Sequence, residues 1–140
     1  MDNQKLKVII AEDEFLIAMD IKRKLEELGF EVTSLTTTAL ETITKTEIDK
    51  PNIIIMDVLL SGSLNGIEAA KIISYRNQLP IIFLIDDFDE KNFSQANLNI
   101  NYELLIKPVT INNLSNTLKK LMLNTDLIAK NLAQPPTFTF

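Results

Sequence analysis

Three acids and one lysine stand where their side chains could do chemistry together. Glu12 and Asp13 follow the apolar run Val8-Ile9-Ile10-Ala11, Asp57 ends the run Ile53-Ile54-Ile55-Met56, and Lys107, itself followed by Pro108, ends Leu104-Leu105-Ile106. Short runs of apolar, mostly β-branched residues read as strands buried on both faces of a parallel sheet. A carboxylate at the end of such a strand needs a partner, because an unpaired buried charge is costly. If the three strands are neighbours, three acids and one ammonium gather at one edge of the sheet, the edge where open α/β sheets bind ligands. Like charges that close raise each other's pKa unless a cation intervenes. A hard divalent ion suits them, and Mg²⁺ keeps several waters while using one or two carboxylates and a phosphate oxygen. A carboxylate can also attack phosphorus to give an aspartyl phosphate. Phosphoryl transfer then needs positioning and charge neutralisation, which Mg²⁺ and Lys107 would supply.

Each of these residues also has a plainer reading. Asp57 could be a solvated or capping acid, Asp13 a cap of the following helix, Glu12 a surface acid and Lys107 a solvated lysine at a strand end. What favours the functional reading is their combination at three strand ends. Asp86, Asp87 and Asp89 read as charges at the start of a helix, favoured by its dipole; the rival places Asp86 or Asp87 at the mouth of the site, repelling phosphate or adding a metal ligand. Phe88 and Phe93 read as core residues rather than a partner site.

Composition narrows the chemistry further. The chain of 140 residues has no cysteine and no histidine, which excludes disulfides, thiolate or imidazole metal sites, cysteine nucleophiles and serine–histidine hydrolysis. Any metal must therefore be held by oxygen. A net charge of −5 argues against broad attraction to nucleic acid or an anionic membrane. The polar start Met1–Lys7 does not resemble a signal peptide, and no run approaches the roughly 18 apolar residues of a membrane span. A soluble, cytoplasmic chain is expected.

The elements that must position these residues alternate between strand and helix. Residues 7–11 read as a strand, followed by a helix with Phe15, Ile17, Ala18, Ile21, Leu25 and Leu28 at helical spacing and Gly29 as its stop. Glu31 to Leu35 alternates as a second strand. Thr38 and Glu41 form a capping box for a helix with Leu40, Ile43 and Ile48 as its apolar stripe, ended by Pro51. After the strand ending at Asp57, Asn65 and Glu68 cap a third helix running to about Tyr75. Pro80 opens a strand over Ile81–Ile85, and Phe88, Phe93 and Ala96 mark a short helix. Leu104–Ile106 is the fifth strand, and Thr110 caps a last helix carrying Ile111, Leu114, Leu118 and Leu121. Five strand–helix units predict an α/β fold: a doubly wound five-stranded parallel sheet with helices on both faces. The last stripe continues at heptad spacing through Thr125, Ile128 and Leu132, so a helix running past 124 could pair with a second copy as a homodimer or lead to an output domain. Residues 5–124 are taken as one domain and 125–140 as a helical extension and tail.

The ordered motifs resemble the receiver domain of two-component response regulators, a flavodoxin-like fold. They are Val8-Ile9-Ile10-Ala11-Glu12-Asp13-Glu14, Ile54-Ile55-Met56-Asp57-Val58, Asn65-Gly66-Ile67-Glu68-Ala69-Ala70, Pro80-Ile81-Ile82-Phe83-Leu84 and Lys107-Pro108. The resemblance implies Asp57 as phosphoacceptor and Asp13 as direct Mg²⁺ ligand, with Glu12 reaching the metal through water. It further implies the backbone carbonyl of Leu59 as the third protein ligand, Lys107 as the phosphate-pairing lysine and a cis Pro108. Cis bonds are about 5–6% of X–Pro bonds in folded proteins, so that expectation is sharp.

Three departures from the family pattern stand out. A serine, Ser61, occupies the place of a usual proline, in a loop one residue longer and with Gly62; this reads as minor. Ile85 stands where a Thr or Ser hydroxyl would bond the phosphoryl group. Leu104 stands where a switching aromatic is usual, and Tyr102 nearby does not simply replace it. The expectation is a retained acceptor site with an altered output switch. The expected role is to accept a phosphoryl group from a sensor histidine kinase or histidine phosphotransfer protein, the chain having no histidine of its own. Output would run through a downstream protein rather than nucleic acid or membrane, with no enzymatic activity beyond slow self-dephosphorylation. The rivals are a pseudo-receiver that is never phosphorylated, favoured by Ile85 and Leu104, and a Mg²⁺-dependent phosphohydrolase, opposed by Leu59 where an acid/base Asp would stand. A nucleotide-binding flavodoxin-like role is opposed by glycines that form no phosphate-cradling loop.

Overall fold

In the computed structural model, which describes residues 4–93 and 98–123, each of the apolar runs becomes a strand. The elements alternate as the periodicity predicts: β1 (Lys7–Ala11), α1 (Phe15–Glu27), β2 (Glu31–Thr36), α2 (Ala39–Asp49), β3 (Ile53–Asp57), α3 (Gly66–Asn77), β4 (Ile81–Ile85), α4 (Asp87–Phe93), β5 (Tyr102–Ile106) and α5 (Ile111–Leu123). β2 and β5 each extend slightly beyond their sequence-based bounds. The strands form one parallel sheet in the order β2-β1-β3-β4-β5. The order reverses between β1 and β3, the crevice where this fold class binds ligands. The readings at Ala96, at Thr125, Ile128 and Leu132, and over the 125–140 tail lie outside the described residues, as does the side chain of Phe88.

Both faces of the sheet are buried, which explains why the strands are continuously apolar rather than alternating. Period two sorts their side chains. Ile10, Ile55, Leu84 and Leu105 pack with Ala18, Ile21 and Leu25 of α1 and Leu114, Leu118 and Leu121 of α5. Ala11, Met56, Phe83 and Ile85 pack on the opposite face with Ala39 of α2, Ala69, Ala70 and Ile73 of α3 and Phe93 of α4. Phe83, Phe93 and Tyr102 form a cluster of tilted and edge-on rings, with centroids 5.1–5.8 Å apart. Such pairs add about 0.5–1.5 kcal/mol beyond burial. Tyr102 and Leu104 lie on this same face, two residues apart on one strand.

Two apolar assignments are corrected. Phe15 is exposed, and α1 turns Ala18, Ile21 and Leu25 inward. In α2, Leu40 and Ile48 are 59% and 65% exposed, and the buried positions are Ala39, Thr42 and Thr46. The threonines can be buried because their hydroxyls are satisfied within the helix. Thr42 Oγ1 donates to Thr38 O and Thr46 Oγ1 to Thr42 O, each at 2.7 Å, so neither hydroxyl is left without a partner. Thr38 caps α2 by accepting from Glu41 N–H, but the reciprocal bond of Glu41 goes to the Thr37 N–H, one residue earlier than a capping box requires. At α3 both bonds of the box between Asn65 and Glu68 are present. The Lys107–Pro108 bond is cis, as the resemblance implied.

Candidate functional site

β1, β3 and β5 each carry one further residue on the α1/α5 side past their last buried apolar one. These residues are Glu12, Asp57 and Lys107. Strand pairing brings them together: Ala11 is level with Met56, Asp57 with Leu84, and Ile85 with Ile106. The end of β5 is locked by the Lys107 N–H donating to Ile85 O at 2.9 Å. Lys107 Nζ then donates to Asp57 Oδ2 at 2.5 Å and makes an ionic contact with Glu12 Oε1 at 3.1 Å. The carboxylates are buried, with side-chain exposures of 0% for Glu12 and 6% for Asp57. Glu12 is therefore no surface acid.

Asp57 is further held by the Leu59 N–H, which donates to its Oδ1 at 2.8 Å. The α3 N-terminus presses on the same strand end. Gly66 N–H donates to Val58 O, and a Cβ on Gly66 would lie 2.2 Å from Asp57 O, closer than any side chain can sit. The Asn65–Glu68 cap and the missing Cβ together let α3 start directly against the backbone that carries Asp57.

The electrostatics follow from two acids sharing one cation. Burial pushes the Glu12 carboxyl up to about 7; the Asp57 charge adds to this, and contacts with Lys107 and the Glu14 N–H only partly offset it. Burial alone would lower the Lys107 ammonium, but its bonds to Asp57 and Glu12 and their charges outweigh this and hold it above its ordinary value. Asp13 stands apart. It is exposed, and its Oδ2 accepts a hydrogen bond from Ser61 Oγ at 2.7 Å, which holds its carboxyl below the usual range. Sequence reasoning treated Ser61 as a minor departure. The signal was the residue type itself, since serine brings a donor that proline lacks.

Glu12 lies beside both Asp13 and Asp57, although among the described residues no preassembled cluster of three acidic metal ligands occurs. The donor set nonetheless fits a hard divalent cation. Every candidate ligand is an oxygen, two carboxylates are buried, and Glu12 Oε1, fully buried, has the ion pair with Lys107 but no well-formed hydrogen bond. Ile85 and Leu104 both pack into apolar surroundings. Ile85 is 1% exposed within the cluster on the other face, and Leu104 packs against that same cluster. Asp86 and Asp87 are exposed at the start of α4, where Asp86 O receives the N–H groups of Asp89 and Glu90.

A 2-1-3-4-5 parallel sheet with buried acids and a lysine at its switch point defines the class of receiver-type α/β domains. The chain belongs to the response regulator receiver domain family, whose sequence model matches residues 8–119. It is 33% identical over 108 residues to the transcriptional regulatory protein PdtaR of Mycobacterium tuberculosis, covering 77% of this chain and 52% of that protein. The chain spans about half the length of the first curated relatives it matches. Its fold is similar to that of the anti-anti-sigma factor PhyR from Bartonella quintana, with a TM-score of 0.77 and 27% identity over 92% of this chain and 52% of PhyR. It is also similar to the receiver domain of the sensor histidine kinase PA1611 from Pseudomonas aeruginosa, with a TM-score of 0.72 and 27% identity over 86% of this chain and all of that one. That domain carries a magnesium ion coordinated in its active-site cleft. Among the described residues no helix is long and apolar enough to cross a membrane.

Proposed function

We propose that this chain is a signalling receiver that accepts a phosphoryl group on Asp57. The observation that carries this reading is the shared contact of Lys107 Nζ with Asp57 and Glu12 at the sheet's switch point. A carboxylate oxygen of Asp57 attacks phosphorus, forming the new O–P bond as the donor's P–N bond breaks. The nitrogen keeps that electron pair and takes up a proton. Lys107, freed from its contact with Asp57 Oδ2, pairs with the incoming phosphoryl oxygens. The Leu59 N–H fixes the other carboxylate oxygen and so aims the nucleophile. Glu12, Asp13, Asp57 and the backbone carbonyl of Leu59 would hold Mg²⁺, which neutralises charge developing on the phosphoryl oxygens.

The donor is a histidine kinase or a histidine phosphotransfer protein, and the phosphohistidine is not supplied by these 140 residues, which hold no histidine. Output passes through contact with a downstream protein in the cytoplasm. The likeness to an anti-anti-sigma factor supports this, as does the net charge of −5, which disfavours direct nucleic-acid binding. The domain does no catalysis of its own beyond slow loss of the phosphoryl group.

A second reading, a pseudo-receiver that binds partners without phosphorylation, is favoured by Ile85, which offers no hydroxyl and is buried in an apolar cluster. Incubation with acetyl phosphate and Mg²⁺, followed by intact mass, separates the two. A gain of one phosphoryl group that requires Mg²⁺ supports the acceptor; an unchanged mass supports the pseudo-receiver.

A further inference from the structure

Asp13 differs from the other acids of the cleft in being exposed on the β1–α1 connection, where Glu12 and Asp57 are sunk in the domain and share Lys107. An exposed carboxylate samples several rotamers, and fixing it around an ion costs side-chain entropy. Here the cost is met beforehand. Ser61 Oγ donates to Asp13 Oδ2 at 2.7 Å across 48 residues of sequence.

Ser61 is itself fixed. It forms an isolated parallel bridge with Thr38, the cap of α2, and Gly62 turns the chain immediately after it at φ +109°. A Cβ on Gly62 would meet the Thr38 side chain at 3.9 Å, so the turn and the cap lie in contact range. The hydroxyl that reaches Asp13 thus comes from a backbone tied to the start of a helix rather than from a free loop. One accepted hydrogen bond uses one lone pair of the carboxylate and leaves the rest open to a cation.

We infer that Ser61 is a positioning residue for divalent-cation binding, holding the Asp13 carboxylate where the ion is received and linking the β1, β2 and β3 loops through Thr38. This rests on the reading of the cleft as a Mg²⁺ site. Hydrogen bonds to metal-binding carboxylates are commonly worth 10–100-fold in affinity.

The test is Mg²⁺ titration of the full chain by calorimetry or amide chemical shift, for the wild type, Ser61→Ala and Ser61→Thr. Thermal unfolding without Mg²⁺ is run in parallel. S61A weakens Mg²⁺ binding about tenfold, S61T recovers most of the loss, and the metal-free unfolding midpoint of S61A stays at the wild-type value. Equal or tighter Mg²⁺ binding by S61A overturns the inference, as does a loss that S61T fails to recover or one accompanied by a lowered midpoint. If the wild type itself binds no Mg²⁺, the reading of the cleft fails and takes the inference with it. Wild-type binding with an unaffected S61A sinks the role of Ser61 alone.

Discussion

Replacing Lys107 with methionine removes the one cation that, among the described residues, pairs with both Asp57 and Glu12, while keeping the length of the side chain. Both carboxylates are almost wholly buried. Breaking a buried ion pair by deleting one partner typically costs about 3–5 kcal/mol. Lys107 is itself partly open to solvent, with 19% side-chain exposure, so the lower end, roughly 3 kcal/mol, is expected at pH 8. The cost depends on pH in a defined direction. Burial raises the Glu12 carboxyl from its ordinary 4.5 to about 7 in the folded domain, so protonation favours folding. That contribution is fully present below the unfolded value and is lost as pH rises through the folded one. Without the ammonium the folded value rises further, so lowering the pH from 8 to 5.5 protonates Glu12 and recovers a large part of the loss. Urea unfolding without metal at the two pH values measures this, with an unchanged m-value showing that the folded state keeps its extent. A K107M loss below about 0.5 kcal/mol at pH 8, where surface substitutions fall, or an equal loss at both pH values, refutes the shared-cation description.

Other expectations follow from single contacts. Gly66→Ala places a methyl within 2.2 Å of Asp57 O, so α3 or the strand end must shift. A loss of about 1–3 kcal/mol is expected, together with slower phosphoryl acceptance; wild-type stability and rate would contradict the close approach. Thr36 and Thr42 form a buried hydroxyl pair at 2.6 Å. Thr42→Val should cost about 1–2 kcal/mol by orphaning Thr36, and adding Thr36→Val should recover much of it; denaturant midpoints that simply add would argue against the pair. Ile85→Thr puts a hydroxyl into the apolar cluster of the other face. It should destabilise by about 1–3 kcal/mol without widening the amide shifts that a phosphoryl mimic causes over residues 85–108. A widened response would show that the hydroxyl reaches the cleft.

Much of this was legible in the residues. Apolar runs marked four strands, Asn65 and Glu68 marked the start of α3, and the positions of Glu12, Asp57 and Lys107 at strand ends placed all three at one edge. Period two even sets their common face, since each falls an even number of residues after an inward side chain of the α1/α5 face. The buried face of α2 was not legible. Hydrophobicity pointed to Leu40 and Ile48, whereas Thr42 and Thr46 hide their hydroxyls in bonds to the preceding turn and bury their methyls. Nor was Asp13's partner legible. The Ser61 hydrogen bond joins loops 48 residues apart and depends on how β1 and β3 come to lie side by side. Strand alternation also packs the Ile85 side chain into the apolar cluster of the α2/α3 face, which its place in the motif order did not reveal.

The most direct measurement locates the modified residue. The chain is treated with acetyl phosphate and Mg²⁺, reduced with borohydride, which converts an aspartyl phosphate to homoserine, and digested for peptide mass spectrometry. Homoserine at position 57, absent without Mg²⁺ and absent in Asp57→Asn, is the predicted result. Reduction at another acid, or at none, would contradict Asp57 as the phosphoryl acceptor.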